Sequence, residues 1–272
     1  MLSSVKRLIG SGWRYRAVIS ALPEGGILKP HEDAIGQAML DHFEGRGGEE
    51  IVERDDGFIL ATDGPADYLA LYEAWPAVEQ QAMDLVQGRV LDVGCGAGRG
   101  ALVLQERGHE VVAIDVSPGA VEVCTRRGVK DARVLTIEEI GPELGTFDTV
   151  LLLGVNFGLL GNEAKATELL GRFAALTTER GRVVAGSREP YASVDPIELN
   201  YQQRNRDRGR LPGQRRLRVR NRNLATPWFN WLTVSVPEMR GIAASAGWRV
   251  TTVLDADSPL YVALLEKDNN AT

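Results

Sequence analysis

Cysteine and histidine are scarce in this 272-residue chain, and neither residue type is clustered. The two cysteines are Cys95 and Cys124, and the histidines stand apart at His31, His42 and His109. Two such cysteines do not predict a disulfide framework, and isolated histidines lack the spacing of metal ligands. We therefore predict no metal site and a reducing compartment, with the cytoplasm as the default location.

Long apolar runs are also missing from the sequence. No run approaches the ~20 residues that a membrane-spanning helix needs. The first 22 residues carry scattered bases but no continuous apolar core, so we expect neither a secretory signal nor membrane association. A surplus of basic residues is absent too, because the net charge is −6, which argues against general affinity for nucleic acid.

Glycine, in contrast, is concentrated where the apolar run Val90–Val93 ends, just before a helical pattern that begins at Ala101. The glycines are Gly94, Gly96, Gly98 and Gly100. A strand, a glycine turn and a helix in this order predict a loop that binds a nucleotide-like ligand, because glycines let the backbone approach a ligand closely.

The acid Asp92 indicates which ligand this loop takes, because it precedes the first glycine by two residues. A carboxylate beside a helix N-terminus repels a pyrophosphate and suits a ligand that carries positive charge. The alternative is a dinucleotide site, since Gly96-x-Gly98-x-x-Ala101 also fits a loose dinucleotide fingerprint.

The sequence here resembles the class I S-adenosylmethionine-dependent methyltransferases, whose first motif is an acid, any residue, then Gly-x-Gly-x-Gly. Asp92, Gly94, Gly96 and Gly98 fill this motif. The resemblance implies an α/β fold with a doubly wound, mostly parallel seven-stranded sheet that ends in a C-terminal antiparallel hairpin. It also implies S-adenosyl-L-methionine as the cofactor.

Cofactor contacts follow from the same resemblance. They are implied for Asp92, Gly94, Cys95, Gly96, Gly98, Asp115, Val116, Ile137, Glu138 and Gly154. Asp115 ends the predicted strand 111–115 and is expected to accept both ribose hydroxyls. Thr136 occupies the position where the family usually carries an acid for the adenine amine, which leaves that contact to Glu138 or to the backbone.

Candidate acceptor contacts are Tyr68, Tyr72, Asn156 and Tyr191. Tyr68 and Tyr72 are one turn apart on a helix predicted from Pro65 to Leu85, which Pro76 can break, so they can share a face. The alternative is that both rings pack on the sheet. No general base stands out and the catalytic residues stay unassigned, although His31 or His42 could reach the pocket if the predicted helix 31–43 covers it.

The chain is predicted to consist of an N-terminal arm and cap at residues 1–74 and a cofactor-binding domain at residues 75–272. The cap contains a partly mobile arm at residues 1–28, a helix, and a hairpin around Asp55-Asp56-Gly57. After the fifth strand of the main sheet, an insertion at 188–234 is predicted to contain an extra β-hairpin. Residues 269–272 are expected to be disordered.

Nine arginines lie between Arg204 and Arg222, and Asp207 is the one acid among them. Arginine forks recognise carboxylates and phosphates, so this segment could bind an anionic substrate or an RNA backbone. We favour a solvated strand face neutralised by the protein's own acids, or a contact within a homodimer.

The most consistent hypothesis is an S-adenosylmethionine-dependent enzyme that methylates a small molecule by in-line displacement. One alternative is a nucleic-acid-directed methyltransferase or an RNA-binding protein that uses the Arg204–Arg222 segment. Another is a fold relative that binds the cofactor without transferring its methyl group. The segment Asn156-Phe157-Gly158 lacks the Pro-Pro of amino-methylating nucleic-acid enzymes, which makes a nucleic-acid acceptor unlikely.

Overall fold

A computed structural model describes residues 26–255 and 259–268 of the chain. Within these residues, no helix is both long enough and apolar enough to cross a membrane. The predicted tail at residues 269–272 lies outside the described residues, as does most of the predicted arm. At the end of that arm Leu28 is buried, and its N–H donates to the carbonyl of Val116 at 3.0 Å; the partial mobility expected for the arm stays a prediction.

The strands are β1 (Glu50–Arg54), β2 (Ile59–Thr62), β3 (Val90–Val93), β4 (Val111–Asp115), β5 (Ala132–Val134), β6 (Phe147–Leu152), β7 (Thr177–Arg188), β8 (Gln214–Asn221), β9 (Leu224–Ala225), β10 (Phe229–Leu232), β11 (Trp248–Asp255) and β12 (Leu260–Lys267). The α-helices are α1 (Ala34–Phe43), α2 (Gly64–Leu69), α3 (Ala77–Ala82), α4 (Arg99–Glu106), α5 (Pro118–Arg127), α6 (Glu163–Leu176), α7 (Pro196–Asp207) and α8 (Val236–Ser245).

The main sheet has seven strands in the order β11-β12-β7-β6-β3-β4-β5. The five strands from β7 to β5 are parallel, and the hairpin β11–β12 closes the sheet in antiparallel pairing. Strands β3 and β4 are buried along their whole length, as expected for parallel strands covered on both faces. The strand order reverses between β3 and β6, so the loop after β3 lies where doubly wound sheets bind ligands.

Local signals set the starts of the helices around this sheet. Ser117 caps α5, with Pro118 at the first helical position, and Asn162 caps α6. Ser235 and Glu238 form a capping box at the start of α8. These side chains satisfy N–H groups that a helix start leaves unpaired, so residues close in sequence set these boundaries.

A second, antiparallel sheet has the order β10-β8-β1-β2, with the short strand β9 also paired to β8. It joins the N-terminal hairpin β1–β2 to the hairpin inserted after β7. The sequence predicted both hairpins but not that β1 and β8 pair, as in the register of Glu53 with Arg218. The predicted division at residues 74 and 75 stays a prediction, although this sheet contains strands from both sides of it.

The helix predicted from Pro65 to Leu85 is interrupted near Pro76, as that proline allowed, and also after Leu69. Helix α2 ends at Leu69, a 3₁₀ turn follows at Tyr72–Ala74, and α3 begins after Pro76. Proline has no N–H to continue a helix and excludes the helical conformation of the residue before it, which explains the break. Tyr68 and Tyr72 therefore do not share a helix face.

Candidate cofactor and acceptor site

The loop between β3 and α4 keeps its shape because glycine stands at its tightest points. Gly98 caps α4 with a φ of +76°, in the left-handed region. A Cβ atom at this position would lie 2.7 Å from Val129 and 2.8 Å from the Cys124 sulfur, so a side chain does not fit. Gly96 has a φ of +55°, and its N–H donates to the Asp115 carboxylate at 3.0 Å. The loop is therefore fixed against the end of β4.

Asp92 is buried at the end of β3 and lines a pocket beside this loop. Burial raises the pKa of its carboxyl to about 7; the Arg99 guanidinium opposes this rise and the Asp115 carboxylate adds to it. A nearby cation would strongly stabilise the charged form of such a buried carboxylate, because the cation offsets the lost hydration of that form.

Asp115 is also buried, and its two oxygens accept backbone hydrogen bonds from Gly96 at 3.0 Å and Ser117 at 2.9 Å. Burial raises the pKa of this carboxyl to about 6, although both hydrogen bonds favour the charged form. A carboxylate has about four lone-pair positions, so two remain for hydroxyl donors. This geometry fits the predicted role of binding a ribose.

The pocket beside the loop encloses about 280 Å³, and its lining residues are Tyr68, Asp92, Gly94, Cys95, Arg99, Gly100, Leu153 and Asn156. The structure thus brings together five of the predicted site residues. The Asn156 amide donates to the carbonyls of Val93 at 3.1 Å and Gly94 at 2.9 Å. It therefore links the segment after β6 to the start of the glycine loop.

Arg99 is a residue of this pocket that the sequence analysis missed. Its guanidinium pairs with Glu79 of α3 at 2.7 Å and stacks on the Trp75 ring, 4.6 Å from the ring centre. All three side chains are buried. Arg99 directly follows the Gly-x-Gly-x-Gly motif, and a base at this place could have been recognised as a carboxylate-binding group.

The other predicted cofactor contacts lie at the carboxyl ends of neighbouring strands. Val116 and Ile137 are buried, and Gly154 follows β6 with a φ of +73°. The Glu138 carboxylate forms an ion pair with Lys165 and is partly exposed. The structure therefore does not turn Glu138 toward the pocket beside the loop, and the adenine contact stays a prediction.

Two of the candidate acceptor tyrosines lie away from this pocket. The Tyr72 hydroxyl donates to the Gln80 carbonyl at 3.0 Å, and its ring packs edge-on against Trp75. The Tyr191 hydroxyl bonds to Glu238, and burial together with that carboxylate raises the pKa of Tyr191 to about 12. Tyr72 thus packs on Trp75, and the acceptor contacts predicted for Tyr72 and Tyr191 stay predictions.

The two histidines of the N-terminal segment do not reach the pocket either. His31 is 74% exposed, and His42 is exposed on α1. The start of helix α1 packs on the start of α5, because Asp33 accepts hydrogen bonds from the Ser117 hydroxyl at 2.7 Å and the Gly119 N–H at 2.9 Å. The helix turns other residues toward the cofactor side, with the Met39 methyl 3.5 Å from where a Cβ on Gly96 would stand.

A larger cleft lies between the second sheet and the carboxyl end of the main sheet. It encloses about 570 Å³, part of it open to solvent, and its lining residues are Val52, Arg54, Phe58, Leu60, Val155, Arg188, Glu198, Arg215, Leu217, Trp231 and Thr233. Six of these are apolar: five belong to the second sheet or its β1–β2 turn, and Val155 follows β6 of the main sheet. Val155 belongs to this cleft and its neighbour Asn156 to the loop pocket, so the two cavities adjoin.

One end of the cleft is a buried ionic network. Glu198 of α7 accepts hydrogen bonds from Arg54 and, at 2.9 Å, from Arg215. Arg54 also forms a bidentate pair with Asp56, at 2.8 and 3.0 Å. The two neighbouring arginines lower the pKa of Glu198 against the effect of its burial, so this carboxylate stays ionised at neutral pH. The network fastens α7 to both hairpins of the second sheet.

The protein's own acids pair with much of the arginine-rich segment. Ion pairs join Arg204 to Asp56, Arg215 to Glu198, Arg218 and Arg220 to Glu53, and Arg222 to Asp41. Most of these acids belong to the N-terminal cap, which pairs with β8 in the second sheet. This pattern agrees with the predicted internal neutralisation and does not favour a nucleic-acid interface.

A doubly wound sheet with an acid-flanked glycine loop where the strand order reverses is the arrangement of the class I S-adenosylmethionine-dependent methyltransferases. Comparison with known proteins supports this class. Residues 90–181 match the family described as a methyltransferase domain. A solved SAM-dependent methyltransferase from Bacteroides fragilis, in complex with S-adenosyl-L-homocysteine, is 27% identical with a TM-score of 0.75, over 89% of this chain and 97% of that one. These similarities support a class I S-adenosylmethionine-dependent methyltransferase, in agreement with the resemblance, and they confirm the predicted fold.

Similarity to individual sequences is confined to a shorter stretch. A ubiquinone biosynthesis O-methyltransferase from Methylocella silvestris is 44% identical over 72 residues, which is 25% of this chain and 28% of that protein. A magnesium-protoporphyrin O-methyltransferase from Rhodobacter capsulatus is 36% identical over 74 residues, 26% of this chain and 33% of that protein. The matches thus span a third or less of these relatives' length.

Proposed function

We propose that this protein binds S-adenosyl-L-methionine beside the glycine loop and transfers its methyl group to a small, largely apolar molecule in the adjoining cleft. One observation carries the proposal: the loop pocket, with its buried acids, meets the apolar cleft at the consecutive residues Val155 and Asn156. A donor in one cavity and an acceptor in the other would meet there.

The residues of the loop pocket fit this cofactor. Asp92 and Asp115 are buried acids with pKa values raised to about 7 and about 6, and both would gain from a ligand with an ammonium and a sulfonium. Asp115 is placed for the ribose hydroxyls and Arg99 for the carboxylate at the methionine end. A pyrophosphate beside the loop would instead meet the Asp92 carboxylate, which disfavours the dinucleotide alternative on electrostatic grounds.

The cleft supports an acceptor with an apolar, flat body. Phe58 and Trp231 contribute rings, and Val52, Leu60, Val155 and Leu217 contribute aliphatic surface. Largely apolar walls with a few polar groups are typical of sites for small molecules. The O-methyltransferases named above act on quinone- and porphyrin-type compounds by their names; for this chain we propose only the shared feature, an extended apolar ring system.

The chain contributes to the reaction mainly by positioning and by excluding water. Bound S-adenosylmethionine supplies an activated methyl group on a positively charged sulfur. Asp92 and Asp115 hold the donor, Asn156 fixes the loop against the segment after β6, and the second sheet covers the acceptor. Fixing two reactants in line removes much of the entropic barrier of a bimolecular displacement.

Two measurements test the proposal. Calorimetry with S-adenosylhomocysteine should show binding to a single site, and methyl-labelled S-adenosylmethionine should label members of a library of hydroxylated aromatic compounds. Trp231→Ala, which opens the cleft, should raise the acceptor KM and leave the Kd for S-adenosylhomocysteine unchanged. Binding of NADH in place of S-adenosylhomocysteine would contradict the proposal.

A further inference from the structure

We propose that Tyr68 and Glu50 act together as the general base that takes the proton from the methyl acceptor, with Tyr68 touching the acceptor and Glu50 receiving the proton. This inference rests on the proposed function and deepens it. It predicts that the acceptor's reacting group is a hydroxyl or another group that carries a proton at neutral pH.

The pair extends from the loop pocket to the second sheet. Tyr68 of α2 lines the loop pocket, and its hydroxyl donates to the Glu50 carboxylate at 2.7 Å. Glu50 and Thr62 pair across β1 and β2, two residue pairs beyond Val52 and Leu60, which line the cleft. Alternate residues of a strand point to one face of its sheet, so Glu50 lies on the cleft side of the second sheet, about 7 Å along from Val52.

None of the groups that shift the pKa of Glu50 carries a positive charge. Those groups are the hydroxyls of Thr62 on β2, at 2.5 Å, and Tyr68 on α2, together with the carboxylate of Asp67 on α2. Burial raises the pKa of Glu50 to about 7; Asp67 adds to this rise, and the two hydroxyls oppose it. A buried carboxyl that titrates near neutral pH and touches a site wall is suited to accept a proton.

The side chain is also confined on its other side. A Cβ on Gly64, at the start of α2, would stand 2.5 Å from a Glu50 oxygen, so the backbone of α2 approaches the carboxylate closely. The Tyr68 ring in turn lies 3.5 Å from where a Cβ on Gly96 would stand, against the glycine loop. The hydrogen-bonded pair thus runs from the loop to the face of the second sheet that lines the cleft.

The proposed step conserves atoms and charge. The acceptor's proton passes to the Tyr68 oxygen while the Tyr68 proton passes to Glu50. A bond forms between the acceptor atom and the methyl carbon, the carbon–sulfur bond breaks, and its electron pair stays on sulfur. Glu50 then loses its proton to solvent before the next cycle. No oxidant, metal or further reactant is needed.

The experiment compares the wild type with Glu50→Gln, Tyr68→Phe and Thr62→Val. Label transfer to the library of hydroxylated aromatic compounds is measured at saturating S-adenosylmethionine, so that cofactor binding does not enter the rate. Glu50→Gln and Tyr68→Phe should each lower kcat by about 10²- to 10⁴-fold, which is the usual contribution of a general base. The Kd of Glu50→Gln for S-adenosylhomocysteine should stay within about threefold of wild type, well below the tenfold that 1.4 kcal/mol represents.

The pH profile separates a base from a structural residue. In the wild type, kcat should fall as the pH drops through about 7, and the residual rate of Glu50→Gln should be flat there. Thr62→Val removes a hydrogen bond that lowers the pKa of Glu50, so it should move the fall in kcat to higher pH and leave the plateau rate near wild type. A structural role for the pair would lower the plateau in all three variants without moving the profile.

The outcomes distinguish this inference from the proposed function. If the wild type does not bind S-adenosylhomocysteine, the proposed function fails. If it binds and transfers label but Glu50→Gln keeps the wild-type rate, the inference alone is wrong. If the library is labelled only at carboxylates, which need no base, the inference is wrong. If nothing in the library is labelled, both the inference and the proposed acceptor class fail.

Discussion

Asp115 combines two tasks, because it fixes the glycine loop and faces the proposed ribose site. Asp115→Ala should weaken S-adenosylhomocysteine binding by about 1.5–3 kcal/mol, the usual value for hydrogen bonds to a charged group. The matched control is Asp131→Ala, which removes an aspartate whose partner is the exposed Arg133. Calorimetry on both variants measures the difference, and equal affinities would refute the placement of the ribose.

Asp92 should make cofactor binding depend on pH. Its pKa is raised to about 7 without a ligand, so a cation that binds the charged form must expel the proton below that pH. Affinity for S-adenosylmethionine should therefore rise between pH 6 and 8 and then level off, and protons should be released on binding. Calorimetry in buffers of different ionisation enthalpy measures that release.

Asp92→Asn is the matching variant, because it keeps the shape of the side chain and removes its titration. It should bind S-adenosylmethionine more weakly at pH 8 and show a flatter pH dependence. S-adenosylhomocysteine lacks the sulfonium charge and should release fewer protons than S-adenosylmethionine in the wild type. Equal proton release for the two ligands would indicate that Asp92 does not sense the sulfonium.

At the scale of elements, the contact between α1 and α5 depends on two glycines. A Cβ on Gly119 would lie 2.8 Å from the carbonyl carbon of Gly36, and this backbone has no room to move aside. Gly119→Ala should lower the free energy of unfolding by about 1–3 kcal/mol, as overpacking does. Gly171→Ala in α6 is the control, since nothing lies within 4 Å of its Cβ position, and it should stabilise by about 0.5–1 kcal/mol. Urea denaturation compares the two variants.

The same elements show how much of the fold could be predicted from the sequence. The glycine loop, the strands on either side of it and the helix caps were predictable, because each depends on residues that are close in sequence. The pairing of β1 with β8 was not, because it joins segments more than 150 residues apart and no local pattern sets their register. The complementary charges of Glu53 and Arg218 were visible, but many other pairings would also have matched charges.

The residues of the site were likewise predictable only in part. Asp92, Gly94, Cys95 and Asn156 were predicted for the pocket and line it; the motif sets the first three at the end of β3, and Asn156 follows the neighbouring strand β6. Arg99 was missed although it follows the motif, and Glu50 was missed because it reaches the pocket wall through Tyr68 of another element. Tyr72 contacts Gln80 and Trp75 because the helix is broken near Pro76. A continuous helix would not allow these contacts.

At the scale of the whole molecule, the ligand-free protein should lose stability as the pH rises. Burial raises the pKa of Glu50 and Asp92 to about 7 and of Asp115 to about 6, above the 4.5 and 3.8 of ordinary glutamate and aspartate side chains. The folded chain therefore binds more protons than the unfolded chain between about pH 4 and 7, and its stability falls across that window. Glu53 and Glu198 have lowered pKa values and are ionised in both states above pH 5, so they do not offset this loss.

The expected loss between pH 5 and pH 8 is on the order of a few kcal/mol, since each unit of pKa shift corresponds to about 1.4 kcal/mol. Saturating S-adenosylmethionine should recover more stability at pH 8 than at pH 5, because its positive charge pairs with the ionised acids. Urea denaturation at both pH values, with and without the ligand, measures these differences. A double variant with Glu50→Gln and Asp92→Asn should show a weaker dependence of stability on pH. If the unfolding free energy of the wild type instead rises from pH 5 to pH 8, the pKa values of these acids are not raised by folding.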